Sequence, residues 1–369
     1  MPKSSYVVRT LSIVLLIAAG CSGHKASEKV AKKLPRAGDE IVVCGQYFHT
    51  GGAKVVLWTD PGGFDAYRTE RRFSPYDQSS YAATTQADGM AEGTVQSPNR
   101  YSLRSKNLTP EQIEEVRGGG WPLDLAQQKI DQFVYHFDVC GTSRQCFNIL
   151  QDHRGLSVHF MLDVDGTIYQ TLDVKERAWQ ATKANDRSVG IEIANIGCYR
   201  TRGDSTTQES GSKVLNEWYR KEPNGKTRMV LPAWASPKWI RTPGFIAHPI
   251  RNEPVIGEIQ GREYEMYDLT PQQYDALIKL TATLCTVLPR INPDYPRDAN
   301  GKLITHVLPN DQYDAYQGLL GHYHVQREKQ DPGPAFQWDK VTNGARALMG
   351  QKPLPPGDVI NQPKQVAKK

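Results

Sequence analysis

Strands and helices alternate between about residues 128 and 346, which predicts an α/β domain, a central β-sheet flanked by helices, behind a β-rich extension over 41–127. Three observations carry this. The runs FVYHF (133–137) and SVGIEIAN (188–195) are rich in β-branched and aromatic residues. SVHFMLDVDGTIYQ (157–170) reads as two strands joined at Asp165-Gly166. LTPQQYDALIKLTATLCTVL (269–288) spaces its apolar residues as an amphipathic helix does, and Thr270-Pro271 is a helix entry.

Taken from the N-terminus, Lys3 and Arg9 precede an apolar run from Leu11 to Ala19, too short to span a bilayer, so residues 1–20 read as an export signal. Cys21 follows the small pair Ala19-Gly20 and resembles the cysteine at which bacterial lipoproteins are cleaved and lipidated. An ordinary secretory signal is the other reading. With a lipid on Cys21 and Ser22 behind it, the expected location is the cell envelope, at the outer membrane facing the periplasm. Residues 21–40 are Lys- and Ser-rich and read as a flexible tether. In the extension, Ile41–Val43 and Val55–Trp58 read as two strands around the Gly51-Gly52 turn, followed by loop from Pro61 to Asn107. Its role is not legible. Within the main domain, CFNILQDHRG (146–155) resembles a helix with its end, residues 199–247 read as an inserted surface loop, and residues 347–369 as a disordered Pro- and Lys-rich tail.

Charge excludes one class of partner. Without Lys3 and Arg9 the chain has 43 Lys+Arg against 40 Asp+Glu, a balance of +3 that gives no footprint for nucleic acid. A monomer is expected. Five cysteines remain beyond Cys21. Cys140 and Cys146 are spaced first for a disulfide and second for a metal pair, while Cys198 and Cys285 are candidates for another bridge, with Cys44 left over.

A catalytic zinc needs three nitrogen or carboxylate ligands and an open position for water. His136 in FVYHFD, at a strand end, and His322 and Asp331 in LLGHYHVQREKQDPGPAFQW, after another short strand, can supply them if the sheet brings them together. On a strand, Val189, Ile191 and Ile193 share one face while Gly190, Glu192 and Ala194 share the other, so small flankers leave room around a Glu192 carboxylate able to act as a base. Lys329 can hold positive charge near a developing oxyanion. Each has a plainer reading. Glu192 can be a solvated strand residue, Lys329 a surface lysine, and Asp331 a helix N-cap ahead of PAFQWDKVTNGARAL. His322 and His324, two apart, would point the same way on a strand and could themselves be two ligands. His159 reads as a satisfied core histidine, and His153, His248 and His306 show no partner pattern.

Taken in order, YHFD, SVHFMLDVDGTIYQTLD, AWQATKANDRSVGIEIAN and GHYHVQREKQDPGPAFQW resemble the N-acetylmuramoyl-L-alanine amidase type 2 family, which includes the peptidoglycan recognition proteins. The similarity covers about 133–339, and its most discriminating part is Gly-His, then Lys two residues before Asp-Pro-Gly and Phe-x-Trp. It implies a mixed central sheet, zinc held by His136, His322 and Asp331, and Glu192 and Lys329 as catalytic groups. It also implies a Cys140–Cys146 disulfide and, as substrate, peptidoglycan or muropeptides cut between N-acetylmuramic acid and L-alanine. A non-catalytic peptidoglycan-binding lipoprotein, and a purely structural envelope lipoprotein, are the alternatives. Trp218, Tyr219, Trp234 and Trp239 in the insert can wall the substrate groove or simply pack.

Overall fold

The computed structural model describes residues 35–67, 101–118, 120–201 and 211–361. The signal, Cys21 and most of the tether, with the readings attached to them, lie outside the described residues, as do 68–100 and 362–369. Among the described residues, no helix is long and apolar enough to cross a membrane.

Six strands build the central sheet: β1 (Val55–Leu57), β2 (Gln132–Phe137), β3 (Phe160–Leu162), β4 (Ile168–Gln170), β5 (Ser188–Ile193) and β6 (Gly318–Gly321). Their order is β6-β2-β5-β3-β4-β1, and only the β3–β4 hairpin within it is antiparallel, so the sheet is mixed. Two-residue periodicity separates its faces. Phe133, Tyr135, Val189, Ile191 and Ile193 are all buried in one large core. Covering that face are α1 (Pro271–Val287), through Tyr274, Leu277, Leu280 and Leu284, and α3 (Trp338–Leu348), through Val341; the short helix α2 (His322–Val325) precedes α3. Each large apolar side chain fully buried there contributes about 1.5–3 kcal/mol relative to exposure.

The entry to α1 behaves as its sequence requires. Thr270 caps the helix with Gln273 in a reciprocal capping box and Pro271 opens it. The same residues tie the helix to the sheet: Gln273 Nε2 donates to Ala194 O at 2.8 Å and Thr270 Oγ1 to Val164 O at 2.7 Å. These bonds fix the C-terminal end of β5, where Glu192 lies.

Four expectations are corrected. Glu40–Val43 pairs with Gln46–His49, because Cys44 and Gly45 both take positive φ (52° and 73°) and close a two-residue hairpin. Val55–Leu57, expected as its partner, instead runs parallel to β4 as an edge of the central sheet, so residue 127 is no domain boundary. The insert is not mere loop: it contains a helix (Gly211–Trp218) and a hairpin (Tyr219–Lys221 with Thr227–Met229), and Tyr199–Arg200 pairs with Arg262–Met266, beyond residue 247. Leu215, Trp218, Tyr219 and Tyr267 give it a small core. The tail is ordered as far as Asn361. Its buried Asp358 accepts from Trp338 N at 3.0 Å, and Asn361 donates to Phe336 O at 2.9 Å, which gives the segment buried polar partners.

His159 is the satisfied core histidine expected. Its Nδ1 accepts from Gly190 N at 3.1 Å, which leaves Nε2 to donate to Glu176 O at 2.9 Å. Burial, aided by the charge of Arg104, lowers its pKa from 6.5 to about 3. The ring is neutral in the fold and takes up a proton on unfolding, so its contribution to stability is whole above pH 6.5 and lost as pH falls towards 3. Urea titrations at pH 7.5 and 5 should show His159→Gln losing about 2 kcal/mol less than the parent over that interval. An equal loss in both proteins contradicts the assignment.

Candidate metal centre

Parallel pairing of β2 with β5 sets His136 directly beside Glu192 on one sheet face. On the other side of β2, strand β6 ends at Gly321 and delivers His322 as the first residue of α2. Asp331 returns to the same point on the loop before α3. Gly321 is needed for that return, since a Cβ there would meet Pro332 Cδ at 2.7 Å and Asp331 O at 3.2 Å. The three predicted ligands therefore converge. His136 Nδ1 lies 2.7 Å and His322 Nδ1 3.0 Å from Asp331 Oδ2, and the two Nδ1 atoms are 3.0 Å apart. All three residues are buried.

The far nitrogens show what the near ones do. His136 Nε2 lies 2.5 Å from Gln180 Oε1 and His322 Nε2 2.7 Å from Gln326 Oε1. An amide oxygen only accepts, so each ring carries its proton on Nε2 and turns an Nδ1 lone pair inward. Two such lone pairs beside a carboxylate call for a cation between them. Two imidazoles and a carboxylate, tautomers fixed, form a donor set that fits a divalent metal of the zinc type.

Glu192 and Lys329 line the same cleft, of about 440 Å³, as the three ligands. Burial pushes the Glu192 carboxyl up to about 8, against the pull of His136; Asp331 and Asp138 raise it further and Lys329 lowers it. Glu192 Oε2 is buried and hydrogen-bonds no described atom, so it is free to accept from a ligand. The loop after β2 is held by Asp138, whose Oδ1 accepts from the backbone of Cys140, Gly141 and Asn195 at 2.8–3.1 Å.

The plainer readings separate here. Asp331 is not a helix cap: α3 starts at Trp338 behind Gln337. His322 and His324 do not act as a pair, because GHYH is a helical turn and not a strand. His324 turns into the core, where Nδ1 accepts from Gly321 N at 2.9 Å and Nε2 donates to Ile304 O at 2.7 Å. His248 Nδ1 bonds Thr227 O at 2.9 Å, His153 lies beside Asn148, and His306 is exposed. None of the insert aromatics lines the cleft, whose wall instead includes Phe137 and Trp179. The expected Cys140–Cys146 disulfide is not formed. Both are buried thiols, with Cys140 Sγ donating to Asp138 O at 3.0 Å; Cys44, Cys198 and Cys285 are free as well.

Gln180 and Gln326 are the site residues that the sequence does not disclose. The space over Gly190, expected to surround Glu192, is taken by Gln180, whose Cδ lies 2.4 Å from where a Gly190 Cβ would stand. Gln180→Leu should keep the fold but weaken metal binding by about 10–100-fold, the usual cost of losing a partner to a ligand's second nitrogen. Competition with a zinc chelator measures it, and an unchanged affinity would remove Gln180 from the site.

Residues 126–231 match the family described as N-acetylmuramoyl-L-alanine amidase, Amidase_2. Comparison with curated proteins gave no match. Among solved structures, the chain is similar to the N-acetylmuramyl-L-alanine amidase AmiD from E. coli, solved with the substrate anhydro-N-acetylmuramic acid-L-Ala-D-gamma-Glu-L-Lys. That match has 17% identity and a TM-score of 0.33, and covers 62% of this chain and 60% of AmiD. It is also similar to the endolysin amidase LysCS from Clostridium intestinale URNW (17% identity, TM-score 0.31, 62% of this chain and 88% of that one). A third is the Staphylococcus aureus hydrolase AmiA with its ligand (11% identity, TM-score 0.31, 69% and 100%). His136, Gln180 and Glu192 all lie within the residues that match this family, whereas His322 and Asp331 lie beyond them.

Proposed function

We propose that this protein is a zinc-dependent N-acetylmuramoyl-L-alanine amidase, hydrolysing the amide between N-acetylmuramic acid and L-alanine in peptidoglycan or muropeptides. The observation that carries the reading is the convergence of His136, His322 and Asp331 beside Glu192 in one cleft, two of the four within the family-matching segment. Zinc held by the three ligands would polarise the scissile carbonyl and make water a stronger nucleophile at neutral pH.

The chain's own groups do the rest. Gln180 and Gln326 fix the imidazole tautomers and so aim the ligand atoms. With the charge of a bound cation to keep it ionised, Glu192, one strand away from His136, takes the proton of the attacking water and returns it to the leaving L-alanine nitrogen. Lys329 places its ammonium in the same cleft and stabilises negative charge on the carbonyl oxygen as the tetrahedral intermediate forms. Its removal should act on the transition state alone: Lys329→Ala is expected to keep zinc and substrate binding while kcat falls by about 100-fold. Steady-state kinetics on a soluble muropeptide test this, and a rise in KM at constant kcat would make Lys329 a binding residue only. The signal-like N-terminus supports placement in the cell envelope, anchored by a lipid on Cys21 at the outer membrane and facing the periplasm, as a monomer.

A further inference from the structure

A second groove, of about 600 Å³, is formed between the insert and the β4 end of the sheet. Its floor is aromatic. Phe64 stacks on Tyr169 with centroids 4.1 Å apart and planes 18° from parallel, and on Phe147 at 5.1 Å. Its rim is cationic: Arg144 lies over the Phe64 ring at 5.8 Å, Arg241 is near enough to Tyr169 for its charge to act on the phenol, and Lys238 is exposed beside Trp239. No Asp or Glu lines the groove, and none of the described acids pairs with these three cations. An apolar floor with unneutralised cations suits a ligand that offers flat hydrophobic faces together with carboxylates.

The groove is joined to the metal-centre cleft by packed rings. The loop Asp138–Cys140 lines the cleft and continues into Gly141, where a Cβ would come within 2.6 Å of the Trp218 ring. From Trp218 the rings continue to Trp234 at 6.0 Å and from there to Trp239, a groove residue, at 6.2 Å. Trp234 is 58% exposed, an unusual surface position for so large an apolar ring.

We infer that this groove is an accessory subsite for the peptidoglycan polymer: the half-buried Trp239, with the exposed Trp234 beside it, stacks on sugar faces, and Arg144, Lys238 and Arg241 bind the free carboxylates of stem peptides next to the one being cut. The inference rests on the proposed amidase function for its choice of polymer. It separates two substrates. A single soluble muropeptide fills the cleft alone, whereas intact wall reaches both.

The test pairs sedimentation of the full protein on purified insoluble peptidoglycan with turnover of a soluble muramyl tripeptide, for the parent and the double variant Arg144→Gln/Arg241→Gln. Loss of two charge-assisted contacts should weaken wall binding by about tenfold or more. Turnover of the soluble substrate should be unchanged, which also shows that the variant is folded. Wall whose carboxylates have been amidated should bind parent and variant alike. Unchanged wall binding by the variant, a difference that persists on amidated wall, or equal slowing on the soluble substrate would each overturn the subsite. A parent protein that binds wall through these arginines but cuts neither substrate defeats the amidase reading and leaves the subsite standing.

Discussion

Replacing His322 by alanine is expected to take the zinc content of the purified protein from about one ion per chain to near zero, and amidase activity with it. The reason is geometric. His322 Nδ1 and His136 Nδ1 meet at one carboxylate oxygen of Asp331, so removal of either ring leaves two donors and an open pocket. Asp331→Ala should behave alike, and it would also leave two inward lone pairs without an anion to balance a cation. His324→Ala is the control: its ring is committed to Gly321 N and Ile304 O, so the variant should lose stability and keep its metal. Elemental analysis after dialysis decides this. Full zinc in His322→Ala, or zinc lost only in His324→Ala, would transfer the site elsewhere.

The second large effect concerns Glu192. Glu192 lines the cleft and its buried Oε2 has no bonding partner among the described atoms, while the backbone around it is fixed by β2, β3 and the α1 cap. Glu192→Gln conserves shape and hydrogen-bonding size but cannot accept and return a proton. Zinc and substrate affinity should hold, and kcat should fall by about 100-fold or more, the scale of losing a positioned acid or base. Glu192→Ala should be no better than Glu192→Gln. A Gln variant with near-parent kcat would keep the hydrolase and discard this base.

How far the sequence discloses the site depends on which interactions are local. His136 and Glu192 are readable because each lies on a short strand whose alternation shows which side chains share a face, and the parallel register sets them side by side. The entry to α1 is readable for the same reason, since Thr270, Pro271 and Gln273 cap their own helix. His322 and His324 mislead, because four residues, HYHV, hold too few turns for helical periodicity to emerge, and a helical turn divides what a strand would align. Gln180 and Gln326 leave no trace: an amide that accepts from an imidazole has no spacing of its own, and the one hint, Gly190, suggests empty space that Gln180 in fact fills. Val55–Leu57 pairs with a strand more than a hundred residues away, which no hairpin signal can announce. Likewise the closing segment to Asn361 is polar and Pro-rich in composition, yet its polar groups are spent on Trp338, Phe336 and Arg251.

The central claim is that this cleft cuts one particular amide. The most direct measurement is mass spectrometry of the products released when the zinc-loaded protein acts on purified peptidoglycan and on soluble muropeptides, with new amino termini labelled. The account predicts peptides that begin with free L-alanine, glycans whose muramic lactyl groups end in carboxylate, and neither product from Glu192→Gln. Cleavage within the glycan or between stem residues, or no cleavage by protein shown to hold one zinc per chain, would contradict it.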